Sequence, residues 1–319
     1  MSWARGVGTD PVLAVDLGGT KIACGVVVGS LVTWRTTVPT PAQDGPEVIL
    51  AAVHDVLEAA RQRADARLIG VGSAGVIDER TGTVLAATAH LAGWTGTHLG
   101  AEIADRTGLA TVCLNDVHAH ALGEHQAGAA AGAASSLLVA AGTGLGGSLV
   151  LGGQPLFGAH HRAGHLGHVP SGEADGLECS CGGTGHLECI ASGAGLLAAA
   201  RAAGSLVADT AELARRAQAG DKVARRWLVR SGTALGRAIG GWVNTLDPEV
   251  VVVAGGLTRA GAIWWDALTS SARAEALDSA ALRIVPAALG DDAALVGAAA
   301  FARTVTQSTP AALTNGAAR

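Results

Sequence analysis

Val12-Leu13-Ala14-Val15-Asp16-Leu17-Gly18-Gly19-Thr20-Lys21 decides the fold: four apolar, strand-forming residues run straight into a glycine turn. Such a run does not alternate apolar with polar residues, so it reads as a strand buried on both faces. About 125 residues later the pattern returns as Leu137-Leu138-Val139-Ala140-Ala141 followed by Gly142-Thr143-Gly144-Leu145-Gly146-Gly147. A third run, Val250 to Val253, ends in Ala254-Gly255-Gly256. Two more runs end in polar residues. Leu68-Ile69-Gly70-Val71 precedes Gly72-Ser73-Ala74-Gly75, and Thr111-Val112-Cys113-Leu114 precedes Asn115-Asp116.

Helical spacing lies between these runs. Ile49, Val53, Val56, Leu57 and Ala60 share one helical face; so do Val223 and Trp227, then Leu235, Ala238, Ile239, Trp242 and Leu246. Strands alternating with helices predict an α/β protein with mostly parallel sheets. The two similar strand–turn units predict two similar halves, one over residues 1–116 and one over 117–290. A closing helix over 291–307 is expected to pack back on the first half. Residues 308–319, small and polar, are expected to be disordered.

Composition removes several classes. Apolar residues make up 49% of the 319 residues and charged ones 15%, which excludes a disordered chain. The 46 glycines follow no G-X-Y period, which excludes collagen. The net charge is −5 and no basic block stands out, so no nucleic-acid partner is expected. Five cysteines do not make a disulfide scaffold, and Met1 to Pro11 lacks the apolar run of a signal peptide. Cys24, Cys113 and Cys189 read as small buried hydrophobes. Gln126 to Phe157 holds no charged residue and is long enough to span a bilayer. However, the glycines of Gly142 to Gly147 would then sit at its centre, so no membrane span is expected. A cytoplasmic protein fits best.

Glycines let the main chain approach a ligand without a Cβ clash, and their N–H groups can point at an anion. Gly18, Gly19, Thr20 and Lys21, with Gly142, Thr143, Gly144 and Gly146 and then Gly255 and Gly256, are therefore candidate phosphate contacts. Asp16, at the end of its strand, is placed to orient Mg²⁺ or a phosphate-bound water. Hairpin turns use Gly and Asp for conformational reasons as well, so one such turn decides little and three decide more. The pattern is neither a Walker A loop nor a dinucleotide fingerprint. Phosphate turns in two halves of a chain imply a nucleotide held in a cleft between lobes.

Asp116 follows a buried strand, where α/β proteins bind ligands. Beside a triphosphate it is placed to accept the proton of an attacking hydroxyl. Asn115 can donate to and accept from a sugar hydroxyl; the same pair also suits a helix cap. Five histidines (His160, His161, His165, His168 and His186) cluster with Cys179 and Cys181. The spacing His168-x10-Cys179-x-Cys181-x4-His186 suits a tetrahedral, structural Zn²⁺ better than a disulfide. The second ring nitrogen of His168 could then donate to a substrate hydroxyl, and Glu188 could accept from another.

With these residues read, the chain resembles the ROK family of sugar kinases and sugar-responsive repressors over about Val12 to Ala302. The motifs are Asp16 to Lys21, Leu114 to Glu124, the second glycine turn, Ala163 to Val169, Cys179 to Gly193 and Asp291 to Ala302. The resemblance implies an actin-like (ribonuclease H-like), two-lobed fold with an inter-lobe cleft, and ATP-dependent phosphorylation of a sugar, usually at the 6-hydroxyl. It implies a homodimer or homotetramer that uses ATP, Mg²⁺ and a structural Zn²⁺. Carried over by position, Asp116 is the catalytic base, and Gly75, Asn115, His165, His168 and Glu188 contact the sugar. Four departures stand out. His186 replaces a zinc cysteine, His165 the sugar-binding Glu, His118 an asparagine, and Ser73-Ala74-Gly75 the usual V-P-G. The Gly-His-x-Gly-His version is similar to the N-acetylmannosamine kinases of the family, since neutral His165 can donate to an acylamino carbonyl. N-acetylmannosamine is therefore the first expected substrate and glucose the second. A repressor is disfavoured because the first motif begins at residue 16, and a non-catalytic sugar sensor because Asp116 and both turns are present.

Overall fold

The computed structural model describes residues 8–88 and 90–308. The first elements are β1 (Val12–Leu17), β2 (Lys21–Val28), β3 (Leu31–Pro39), α1 (Pro46–Arg61), β4 (Leu68–Ser73), β5 (Val76–Asp78), β6 (Thr83–Ala86), α2 (Leu99–Thr107), β7 (Ala110–Asn115) and α3 (Asp116–Ala127). There follow β8 (Ser135–Ala141), β9 (Leu145–Leu151), β10 (Gln154–Pro155), α4 (Glu188–Ala191), α5 (Gly193–Ala202), α6 (Thr210–Gln218) and α7 (Lys222–Leu246). The chain continues with β11 (Val250–Ala254), α8 (Ala262–Glu275), β12 (Ile284–Pro286) and α9 (Ala293–Ser308). The disorder expected over 308–319 concerns residues that, beyond Ser308, lie outside the described ones.

Two five-stranded sheets carry the fold, ordered β3-β2-β1-β4-β7 and β10-β9-β8-β11-β12. In each, two antiparallel pairings through a glycine hairpin lead to two parallel ones. Strands β8 and β9 are neighbours joined by a three-residue turn, Gly142 to Gly144, which sets them antiparallel. The repeat expected from the two glycine turns is thus a repeat of topology. The core strands are apolar on both faces: Leu13, Ala14 and Val15 are buried in the first sheet, as are Val250 to Val253 in the second.

The chain divides into two compact units. The first holds the chain up to Gly132, then Val150–Ala163, then Ala288 onward; the second holds Ala133–Leu149 and Gly164–Ala287. The boundary read after residue 116 therefore moves. Helix α3 packs along α9 in the first unit, because both present small residues. A methyl group at Gly123 would run into Ala293 O, and one at Gly297 into Ala119 O. Residues 150–163 join the first unit through rings: Phe157 meets His118 edge-on at 5.1 Å and Phe301 at 5.7 Å. His118 Nε2 also lies 3.2 Å from Ala163 O.

Helix α1 buries Ile49, Leu50, Val53, Val56, Leu57 and Ala60, the face the spacing predicts. In α7 the buried face begins at Ala224 and Trp227, and Val223 is exposed, a correction to the predicted stripe. The side chain of Asp221 caps this helix by accepting from the N–H groups of Val223 and Ala224, so Val223 sits in the solvent-facing first turn. No helix among the described residues is long and apolar enough to cross a membrane. The uncharged stretch after Gln126 supplies β8, the second glycine turn, β9 and β10.

Candidate active site

Strands β1, β4 and β7 are parallel and in register, with Leu17 beside Ser73 and Ser73 beside Asn115. That register brings Asp16, Gly75 and the Asn115–Asp116 pair to one edge of the first sheet, at the strands' carboxyl ends. Asn115 is the N-cap of α3: its Oδ1 accepts from Val117 N (2.9 Å) and His118 N (3.2 Å). Its Nδ2 donates to Gly75 O and to Asp116 Oδ1, each at 2.8 Å. Asp116 Oδ1 also accepts from Val117 N at 2.9 Å. The cap and the candidate ligand contact are thus the same residue, and one carboxylate oxygen of Asp116 is fixed. Gly75 has φ +108, a region that glycine enters without strain, and a methyl there would lie 2.7 Å from Ala86 O. Burial raises the Asp116 carboxyl above the ordinary carboxylate range, against the hydrogen bonds from Val117 and Asn115 that lower it.

The first glycine turn is a hairpin of Gly18, Gly19 and Thr20, closed by Gly18 N donating to Lys21 O at 3.0 Å. Lys21 Nζ is held by Asp291 Oδ1 at 2.9 Å, an exposed pair. The Asp16 carboxyl is pushed up to about 7, first by burial and then by the charge of Asp116. Asp291 adds to this rise and Lys21 opposes it. A buried carboxyl raised by two neighbouring carboxylates and opposed by Lys21 makes a place for added positive charge.

This shift has a measurable consequence. Between the ordinary carboxylate range and about pH 7, folded Asp16 keeps a proton that the unfolded chain has released. The folded state then binds more protons, so this residue's contribution to stability falls as pH rises through that window. Asp16→Asn removes the effect. The variant is expected to be the more stable protein at pH 8, by roughly 4 kcal/mol, with the gap closing toward pH 4. Urea denaturation midpoints of both proteins against pH measure it; a gap independent of pH would refute the assignment.

The second turn comprises Gly142, Thr143 and Gly144, with Gly142 N donating to Gly144 O at 3.0 Å. Gly146, expected in the turn, lies inside β9. The start of α5 leans on this turn: Gly193 N donates to Gly142 O (2.7 Å) and Ala194 N to Thr143 O (3.2 Å). Gly255, at φ +92, passes so close to β8 that a methyl would run into Ala141 O, which leaves Gly255 and Gly256 beside the same turn. Glu188 is tied into it as well, its Oε2 accepting from Leu145 N at 2.9 Å and its Oε1 from Ser180 Oγ at 3.1 Å.

His168, Cys179, Cys181 and His186 converge, with one ligand atom from each lying within 4.8 Å of all the others. Cys179 Sγ is 3.7 Å from His168 Nδ1, and Cys181 Sγ is 3.2 Å from His186 Nδ1. A tetrahedral zinc with its usual S and N bond lengths spans an S···N edge of about 3.5 Å, so the donor set fits in number, chemistry and spacing. His165 is exposed and stacks on His168 with ring centroids 6.0 Å apart, so it stands next to the cluster without joining it. His161 does not join either. Its Nδ1 lies 2.6 Å from Glu79 Oε2 in the first unit.

Sequence reasoning missed Asp291 as the partner of Lys21 and Glu79 as the partner of His161. Asp291 stands in a quoted motif and Glu79 in none; in both cases the partner lies far along the chain.

Comparison with known proteins gives a consistent result. A sequence model of the ROK family matches residues 12–305. The chain is 35% identical over 297 residues to the N-acetylmannosamine kinase of Escherichia coli O139:H28, covering 91% of this chain and 98% of that protein. It is 30% identical over 306 residues to the glucokinase of Thermotoga maritima, covering 91% and 96%. Among solved structures, a ROK hexokinase from Thermus thermophilus superposes with a TM-score of 0.85 at 35% identity, covering 93% of this chain and 99% of that one.

Proposed function

Since the chain belongs to the ROK family, whose two-lobed, actin-like sugar kinase fold it shares, we propose that it is an ATP-dependent sugar kinase acting on the 6-hydroxyl of N-acetylmannosamine. In this reading Asp116 accepts the proton of the attacking hydroxyl through the oxygen that Asn115 does not hold. Asn115, Gly75, His168 and Glu188 orient the sugar. Each Glu188 oxygen already accepts one hydrogen bond and keeps a second lone pair for a sugar hydroxyl. The two glycine hairpins and the Gly255–Gly256 turn hold the phosphates. Asp16, short of positive charge, would hold Mg²⁺ or its water, and Mg²⁺ when bound offsets charge on the phosphates. His168, Cys179, Cys181 and His186 would hold a structural zinc, which leaves His168 Nε2 to face substrate. Closure around the sugar would exclude water that otherwise hydrolyses ATP.

One observation carries the choice of sugar: an exposed histidine, His165, at the position where the family's sugar-binding glutamate is expected. A neutral imidazole can donate to an acylamino carbonyl, which a carboxylate repels. Glucose is the second reading, favoured by the likeness to the Thermotoga maritima glucokinase. A coupled assay decides between them. N-acetylmannosamine is expected to give the higher kcat/KM by about tenfold, the worth of one good hydrogen bond. His165→Glu should narrow or reverse that ratio. A higher value for glucose in the wild type would reverse the order.

A further inference from the structure

Glu124 ends the motif that begins with Asn115 and Asp116, two turns of α3 further on, yet it faces away from solvent at 1% exposure. No lysine or arginine pairs with it among the described residues. Its carboxylate is met by main-chain donors instead. Oε2 accepts from Ala129 N at 2.8 Å, both oxygens accept from Ala288 N at 3.0 Å, and Oε1 accepts from Leu289 N at 2.8 Å. A methyl group at Gly128 would run into the same carboxylate, so the turn after α3 is shaped around it. A buried anion satisfied by N–H groups from two turns fixes both turns, because each would otherwise leave donors unpaired.

What the second turn delivers is functional. Two residues past Leu289, Asp291 holds Lys21 of the first glycine hairpin, and its charge reaches Asp16. We propose that Glu124 is a positioning residue for nucleotide binding: by fixing the 288–289 main chain it sets Asp291 against Lys21 and so aims the Lys21 ammonium at the phosphates. This rests on the kinase reading above. It makes α3 a two-ended device, with the base at its first residue and the anchor of the phosphate arm near its last.

Glutamine cannot replace the carboxylate, since its amide would set N–H against N–H. Glu124→Gln is expected to raise KM for MgATP about tenfold while KM for the sugar changes less than about twofold. In an Asp291→Asn background the same change is expected to add less than about twofold, because both act through one arm. A merely structural role would instead raise both KM values together or give independent, multiplying effects in the double variant; either result overturns the proposal. Gly128→Ala displaces the carboxylate with its charge intact. Should Glu124→Gln not fold, this variant must show the same split between the two KM values, and its absence also overturns the proposal. A wild-type protein with no ATP-dependent transfer to any hexose removes the kinase reading and this one with it; an active wild type with an unaltered Glu124→Gln variant removes this one alone.

Discussion

Asp116→Asn is expected to lower kcat by 10² to 10⁴-fold, the usual worth of a positioned general base, while the sugar's dissociation constant changes less than about threefold. The substitution is nearly silent for the fold. Asparagine keeps an acceptor oxygen, so the hydrogen bonds from Val117 N and Asn115 Nδ2 can persist, and Asn115 still caps α3. What is lost is the capacity to take a proton. The wild-type pH profile supplies a second check. Burial raises the Asp116 carboxyl above the ordinary carboxylate range, and in the proposed mechanism the ionised form is the base. The rate should therefore rise with pH through that raised pKa, with the acidic limb set higher than an exposed aspartate would set it. The Asp116→Asn variant should lose that limb from whatever rate remains. Isothermal titration with the sugar, alongside a coupled assay for transfer, separates binding from chemistry. Full activity in the variant would remove Asp116 as the base, and lost sugar binding with lost activity would recast it as a binding group.

The sequence was legible where chemistry is local. Val12 to Lys21 announces a buried strand and a glycine hairpin because each property needs only neighbours, and the structure places both there. Asn115 reads as a cap because the N–H groups it satisfies lie two and three residues on. The convergence of His168, Cys179, Cys181 and His186 was readable because all four lie in one loop-rich stretch. Legibility stops where the partner is distant. Lys21 and Asp291 lie 270 residues apart, and Glu124 and Leu289 lie 165 apart. Nothing near Glu124 signals that its carboxylate serves a turn at the other end of the chain. The unit boundary failed for the same reason. The place of α3 is set by small residues of α9, so residue 116, where the strand ends, is a natural but wrong place to cut. Gly146 shows the opposite error, since a glycine within a glycine-rich motif can belong to the strand that follows.

Disrupting the proposed zinc site should have the other large effect. The four donors come from a stretch containing little regular structure besides two short 3₁₀ turns, and a tight turn closes it with Cys179 N donating to Gly183 O at 2.8 Å. Ala174, Val169 and Leu177 anchor the loop on the second unit's core, and a bound ion would add to its stability; structural zinc sites in small domains contribute about 10 kcal/mol or more. Without an ion, burial pushes the Cys179 thiol up to about 11, so binding must displace its proton and should weaken as pH falls. Metal analysis of the purified protein is expected to give about one zinc per chain. Cys179→Ser should lose it, since a hydroxyl is a poor substitute for thiolate, and the melting temperature should drop by several degrees. Because Glu188 links this loop to the second glycine turn through Ser180 and Leu145, the loss should reach the active site and raise KM for the sugar. His186 makes a further distinction. His186→Cys restores a thiolate at a position where imidazole already fits, so it should retain zinc and most activity. Protein purified without chelators yet free of zinc would end the metal assignment. Zinc retained in full by Cys179→Ser would move the site elsewhere.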